Sequence, residues 1–412
     1  MNALQPKSNI GLHHGSLSKE VRIETERELK EGDLKAVICT SSLELGIDVG
    51  YVEYVIQYMS SRQVTKLTQR IGRGGHVIGA KSKGCIIAAW PDDIIESTVI
   101  SKFATEGVLE TIKIHDGALE VLAHQVAGMT LDQGSIPIEE IYQIINASWP
   151  YRNFTVEKLV EVVKQLENQK ILWFNGNIIR RRYPNIFNYY YENLSMITDI
   201  KHYDVIDFLN RKKIGTLDQE FIVKNGKLGQ EFVIQGQTWR ITSIDEEKNL
   251  LQVEAVPQSL GAIPAWEGEI IPVPFNVAQE VGKIRKIVAE EIKNGDEAAS
   301  TLKKYPINQE AVKKVVDYIQ KQLDSGYVVP NDVQIVIEGF ENYIIIHGCF
   351  GNLVNETLGK TLAALLSARS GFNVATQSDA YRIVLTSPNY IEPGVVKKDF
   401  YLTNRGEVDK RR

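Results

Sequence analysis

The sequence predicts a multi-domain protein of mixed α/β and α+β class, and three observations lead there. Over residues 1–104, strand-length apolar runs alternate with helix-length amphipathic ones, the pattern of a parallel sheet with helical crossovers. Residues 105–192 switch to three amphipathic helices and a strand pair. Residues 193–412 open with short alternating strands and close with helices and strands together.

Each element has its reason. "NIGLHH" reads as a short strand. "LSKEVRIETERELKEGD" has helical spacing, with Ser18 placed to cap its start and Gly32 to end it. "KAVICT" reads as a strand buried on both faces, "YVEYVIQYM" as another, "VTKLTQRIGR" as a helix and "KGCIIAAW" as a third apolar strand. In the second segment "DGALEVLAHQVAGM", "IEEIYQIINAS" and "VEKLVEVVKQLENQ" are helices. "ILWFNGNIIRRR" is a hairpin turning at Asn175-Gly176. Three helices and a hairpin make a winged-helix layout, with a plain helical linker domain as the alternative. Residues 200–270 break into short runs at Asn-Gly, Gly-Gln and Asp-Glu turns, which suggests a small β-barrel or sandwich. A helical stretch around 277–323, strands "VQIVIEG" and "NYIIIHG", helix "ETLGKTLAALLSAR" and strand "AYRIVLTS" form an appended α+β unit.

Composition excludes little. Charged residues are 24% of the 412 and net charge is −5, so nothing global advertises a nucleic-acid partner, although binding follows local patches. Cys39, Cys85 and Cys349 lie far apart and form neither a disulfide framework nor a zinc pattern. The N-terminus is polar and no apolar run is long enough to span a bilayer, so the expectation is a cytoplasmic protein with no membrane partner.

Chemistry concentrates in three places. Gln69-Arg70-Ile71-Gly72-Arg73-Gly74-Gly75-His76 ends a helical run. A guanidinium stays protonated and forks onto phosphate oxygens, and glycines let backbone pass close to a ligand. Alone, the octet reads first as a glycine-rich surface turn with solvated arginines. "TSSLELGIDVG" (40–50) follows a strand, so Thr40 and Ser41 offer donors to a phosphate, while Asp48 after Gly46 suits a ribose hydroxyl. "HHGSLS" brings His14, Gly15 and Ser16 to a helix start, another anion-ready place.

In this order the three resemble the second RecA-like lobe of superfamily 2 helicases, "TSSLELGID" matching motif V and "QRIGRGGH" motif VI. The wording "HHGSLS…LKAVICTSSLELGIDVG…TKLTQRIGRGGH" is similar to the Lhr (large helicase-related) family of ATP-dependent helicases, as are "IPAWEGE" (263–269) and "HGCFGNLVNETLGKTLAALL" (347–366). The resemblance implies an ATP-dependent 3′-to-5′ helicase or translocase on single strands. It makes the first segment a partial second RecA-like lobe. It implies Arg73 as the arginine finger at the γ-phosphate, with Arg70 and Gln69 shaping that edge, and Gly46 and Asp48 at the ribose. Thr40 would bind a phosphate of the tracked strand, with His14, Gly15 and Ser16 near it. His14 reads as readily as a structural histidine. Trp266 stacks on a base by resemblance, or closes the barrel as a core residue. Ile197 occupies the place of an apolar nucleic-acid contact, though by itself it reads as core. Arg180 and Arg181 lie in "IIRRRYPNIFNYYY" (178–191), whose basic and aromatic mixture suits a strand or a solvated face beside an aromatic core.

No GxxxxGK[ST] loop and no DExH-type acidic run occurs. The expectation is therefore a piece of a larger helicase, lacking its first RecA-like lobe and inactive as an ATPase by itself. ATP and Mg²⁺ would be held mainly by that lobe, supplied in cis or in trans. The strand partner would be single-stranded or forked DNA, or else RNA or an RNA–DNA hybrid. The other readings are a non-enzymatic nucleic-acid-binding remnant and a protein-interaction scaffold.

Overall fold

The structure is a computed structural model that describes residues 9–15, 17, 19–44, 52–74, 81–112, 114–195, 201–234, 237–256, 263–264, 271–295 and 299–397. It divides into two units, Met1–Glu110 with Asp204–Leu217 and Phe221–Arg412, and Thr111–Tyr203 with Asp218–Glu220. The first and third segments of the sequence thus fold into one body.

In the first unit, β1 (Ile10–His13), α1 (Lys19–Glu31) and β2 (Ala36–Cys39) come first, and β1 and β2 pair in parallel with His13 opposite Cys39. β3 (Val55–Tyr58), α2 (Val64–Ile71) and β4 (Gly84–Ile87) repeat the pattern as a second parallel pair. The strand–helix alternation is as expected, but the burial of "KAVICT" is not. Ala36, Ile38 and Cys39 are exposed, because β1–β2 and β3–β4 are separate two-stranded sheets and among the described residues nothing widens either.

α3 (Pro91–Glu106) follows, with Pro91 in its first turn beside Asp92 and Asp93, where proline and negative charge suit a helix start. All eight residues from Asp93 to Ile100 are buried, so this helix is covered on every side.

The second unit runs α4 (Leu119–Gln133), β5 (Ser135–Pro137), α5 (Ile138–Asn146), α6 (Val156–Asn168), β6 (Leu172–Phe174), β7 (Ile178–Arg181) and α7 (Asn185–Glu192). Its sheet has the order β5-β7-β6, and Gly176 turns the hairpin at φ 94°. This is the winged-helix layout. β5 is only three residues long, too short to show a period in the sequence. Leu122, Ile136, Ile141, Leu159, Ile179 and Ile186 meet in its core.

Beyond it, β8 (His202–Asp207), β9 (Lys213–Asp218), α8 (Gln219–Asn225), β10 (Glu231–Ile234), β11 (Gln237–Asp245), β12 (Leu250–Val256) and β13 (Ile263–Pro264) supply one sheet and a short helix. The strand order is β13-β10-β11-β12-β8-β9, so among the described residues the sheet stays open, with β13 and β9 as its edges. α9 (Phe275–Asn294) and α10 (Gln309–Asp324) lead into β14 (Val336–Phe340), β15 (Tyr343–His347), α11 (Asn352–Ser370), β16 (Ala375–Ser378) and β17 (Arg382–Thr386). These four strands form an antiparallel sheet, β14-β15-β17-β16, with α11 packed on it. One core joins the ends of this unit: Val64 and Leu67 of α2, Ile95 and Val99 of α3, Val277, Val281 and Val288 of α9, and Val315 and Ile319 of α10. Among the described residues no helix is long and apolar enough to cross a membrane.

Candidate nucleotide and strand site

The parallel pairing of β1 and β2 brings their carboxyl ends together, the edge at which open α/β sheets bind ligands. His14 and Gly15 follow β1, and Thr40 and Ser41 follow β2. Thr40 N–H donates to His13 O at 3.3 Å, which holds the two ends side by side. Thr40 and Ser41 are exposed at the start of a one-turn 3₁₀ helix, Ser41–Leu43. His14 is half-buried, and burial, with His13 beside it, lowers its pKa below the ordinary histidine value.

His13, which sequence reasoning passed over, is the buried member of this edge. Its Nε2 lies 2.8 Å from Glu26 Oε1. Its Nδ1 lies 2.7 Å from Ser42 Oγ, which in turn donates to His13 O at 2.9 Å. The imidazole thereby ties α1 to the turn after β2. An imidazole in period with the strand's buried side was the available signal.

α2 carries the cations. Its polar side presents Lys66 and Arg70 four residues apart, like charges that destabilise a helix unless an anion lies between them. Glu44 is that anion. Its side chain is only 3% exposed, with Lys66 Nζ at 2.7 Å from Oε1 and Arg70 Nη2 at 3.0 Å from Oε2. Arg70 Nη1 also donates to Gln57 Oε1 at 3.0 Å, and Arg73 Nε donates to the Glu44 carbonyl at 2.9 Å. One residue after β2 therefore holds both arginines of "QRIGRG". Gln69 is half-buried on the same helix, one residue before Arg70. Gly72 ends α2, and a Cβ there would stand 2.8 Å from Thr68 O, a structural reason for glycine beside Arg73. Sequence reasoning missed Glu44, Lys66 and Gln57, although the Lys66–Arg70 spacing pointed to a partner.

In the winged helix, Arg180 and Arg181 are exposed on β7. Arg180 lies opposite Trp173 across the hairpin, Arg182 stacks over the Trp173 ring at 3.9 Å, and Arg181 faces Tyr183 at 5.4 Å. The aromatic run continues into α7, where Ile186 is core. Ser16, Gly46, Asp48, Ile197 and Trp266 lie outside the described residues. Among the described residues no group of three or more His, Cys, Asp or Glu side chains converges as a metal site would require.

Two parallel strand pairs and a cation-bearing helix joined to a strand-end turn make a partial RecA-like lobe, followed along the chain by a winged helix. Family comparison agrees: the helicase conserved C-terminal domain matches residues 1–77, the winged-helix domain of large helicase-related proteins 102–261, and the DEAD/H associated domain 329–407. The chain is 32% identical over 390 residues to the ATP-dependent helicase Lhr-Core of Methanocaldococcus jannaschii, covering 92% of this chain and 45% of that one. It is 31% identical over 420 residues to ATP-dependent helicase Lhr-Core protein 2 of Thermococcus barophilus, covering 98% and 48%. The structure of Mycobacterium smegmatis helicase Lhr bound to ssDNA and AMP-PNP shares the fold, with a TM-score of 0.66 at 22% identity over 98% of this chain and 50% of that one. The chain belongs to the Lhr helicase family and spans about half the length of the curated relatives it matches.

Proposed function

We propose that this chain supplies the second motor lobe and the strand-binding modules of an ATP-dependent DNA helicase that moves 3′ to 5′ on single strands. The observation that carries the reading is the Glu44 junction, where the turn after β2 is held to Arg70 of α2 by one buried carboxylate and to Arg73, just past the helix, by its own carbonyl. A link of this kind is what coupling a strand-contacting loop to a nucleotide-contacting helix requires. The names of the relatives support the reading, as does the structural neighbour bound to ssDNA and AMP-PNP.

On this reading Arg73 neutralises charge on the γ-phosphate of ATP, an effect worth roughly 10³- to 10⁵-fold in rate where such a finger operates. Arg70 and Gln69 shape that edge, and Gly46 and Asp48 meet the ribose. Two guanidiniums one turn apart suit a triphosphate. On the same reading Mg²⁺ and the β- and γ-phosphate cradle belong to the first RecA-like lobe, present in cis or in trans. His14, Gly15, Ser16, Thr40 and Ser41 contact the strand backbone, Ile197 and Trp266 its bases, and Arg180 and Arg181 its phosphates. Single-stranded or forked DNA is the substrate, ahead of RNA or an RNA–DNA hybrid.

The test uses the protein with its first lobe present. Arg73→Ala is expected to cut ATP hydrolysis by roughly 10³-fold or more while leaving single-strand binding within about twofold. Normal hydrolysis by that variant would overturn the assignment.

A further inference from the structure

α2 does not cap itself: Gln63, at the N-cap position, accepts no hydrogen bond from the helix. The first N–H groups of a helix have no partner within it and form the positive end of its dipole. Here a carboxylate from another part of the chain meets them. Val64 N–H donates to Glu110 Oε1 at 2.6 Å and Thr65 N–H to Oε2 at 2.8 Å, and the Thr65 hydroxyl donates to the same Oε2. Gly107 makes this possible. It ends α3 in the left-handed region at φ 73°, and the chain turns back so that the third residue onward reaches the start of α2. Burial pushes the Glu110 carboxyl up, but the bonds from Thr65 and Val64 more than offset it, so its pKa settles below the ordinary glutamate value. The cap is therefore charged at neutral pH.

The place of Glu110 in the chain gives the cap a second meaning. It is the last residue of the first unit before the winged-helix unit begins at Thr111. α2 is eight residues long, about 12 Å, with Glu110 at one end and the Arg70–Arg73–Glu44 junction at the other. Val64 and Leu67 anchor its apolar side in the core.

We propose that Glu110 is a positioning residue for Arg73: it grips the start of α2 as a pivot, so that displacement of the segment leading to the winged helix is passed along α2 to the arginine. The proposal rests on the reading of Arg73 as the γ-phosphate contact. A rigid helix between two ionic grips transmits movement, whereas a neutral, frayed end would absorb it.

Hydrogen exchange on the 412-residue chain is the first test. Glu110→Ala is expected to speed exchange at Val64 and Thr65 about fivefold or more, the usual scale of a lost cap, and also to speed exchange at Gly72 to Gly74. Glu110→Gln keeps the volume and one acceptor, so it shows the same pattern more weakly and serves if the alanine variant does not fold. Acceleration confined to Val64 and Thr65 overturns the proposal, because the cap would then be purely local. The second test uses the protein with its first lobe. Glu110→Ala should lower kcat for ATP about 10- to 100-fold, as misplacement of a catalytic group does, at unchanged KM. It should add nothing to Arg73→Ala. Losses that multiply in the double variant overturn the pivot. Normal hydrolysis by Arg73→Ala alone sinks the γ-phosphate reading instead and leaves the exchange pattern to judge the pivot.

Discussion

Two carboxylates in the first unit are each held by two cations, and they differ in where the cations come from. Glu44 is met by Lys66 and Arg70, which lie 22 and 26 residues away on one helix and keep 23% and 22% of their side chains exposed. Asp92, at the start of α3, is met by Arg285 of α9 at 2.8 Å and by Arg382 of β17, which are 193 and 290 residues away. Arg285 is itself only 6% exposed, donates to Cys349 Sγ at 3.5 Å and lies over the Tyr381 ring at 4.9 Å. Burial works against its charge, and Asp92 more than compensates. The first cluster joins two short stretches beside solvent; the second joins the two ends of the chain inside the fold. Similar ion pairs therefore serve different ends, alignment of a site in one case and assembly of a core in the other.

Arg285→Ala tests that contrast with the largest expected effect. It leaves the half-buried Asp92 with Arg382 as its one cation and removes the guanidinium stacked on Tyr381, so unfolding free energy should fall by roughly 3 kcal/mol. Urea denaturation of the full chain measures it. The double variant Asp92→Asn, Arg285→Met should recover most of the loss, since the buried guanidinium is gone and Arg382, 40% exposed, keeps Asp379 at 3.7 Å. Glu44→Ala should cost less, about 1–2 kcal/mol, because Lys66 and Arg70 can turn to water. With the first lobe present, however, it should depress ATP hydrolysis well below the Arg285 variants that still fold. If Glu44→Ala destabilises as much as Arg285→Ala and leaves hydrolysis intact, the contrast is wrong.

The same contrast explains what could be read from the sequence. The strand–helix alternation, the winged-helix hairpin at Asn175-Gly176 and the cation-bearing helix were legible because each is set within about twenty residues by period and turn chemistry. The exposure of Ile38 was not, since burial of a strand depends on what lies beside it in space. Glu44 was half legible, through the repulsion between Lys66 and Arg70. Asp92–Arg285, Tyr381–Glu96 and the Glu110 cap were not, because no local pattern marks a partner 45 to 285 residues away. β5 failed for the opposite reason, being too short to carry a period.

The smallest effect sharpens the contrast within a single helix. Glu96 lies one turn along α3 from Asp92, yet its direct partner is a hydroxyl, Tyr381 O–H donating to Oε2 at 2.6 Å. Burial pushes the Glu96 carboxyl up, against the opposing pull of Ser60, Tyr381 and the Arg62 charge. A carboxyl whose folded pKa lies above its unfolded value stabilises fully below the unfolded value, and that contribution is lost as pH rises through the folded one. Burial of Glu96 thus makes the fold weaker at neutral pH than in acid. Glu96→Gln is neutral at every pH and can still accept from Tyr381. It should therefore be more stable than the parent at neutral pH by at most about 1 kcal/mol, and the gain should vanish as pH falls below the ordinary glutamate range. Urea midpoints of both proteins across that range measure the difference. A variant less stable than the parent at neutral pH would mean that Tyr381, Ser60 and Arg62 favour the carboxylate after all.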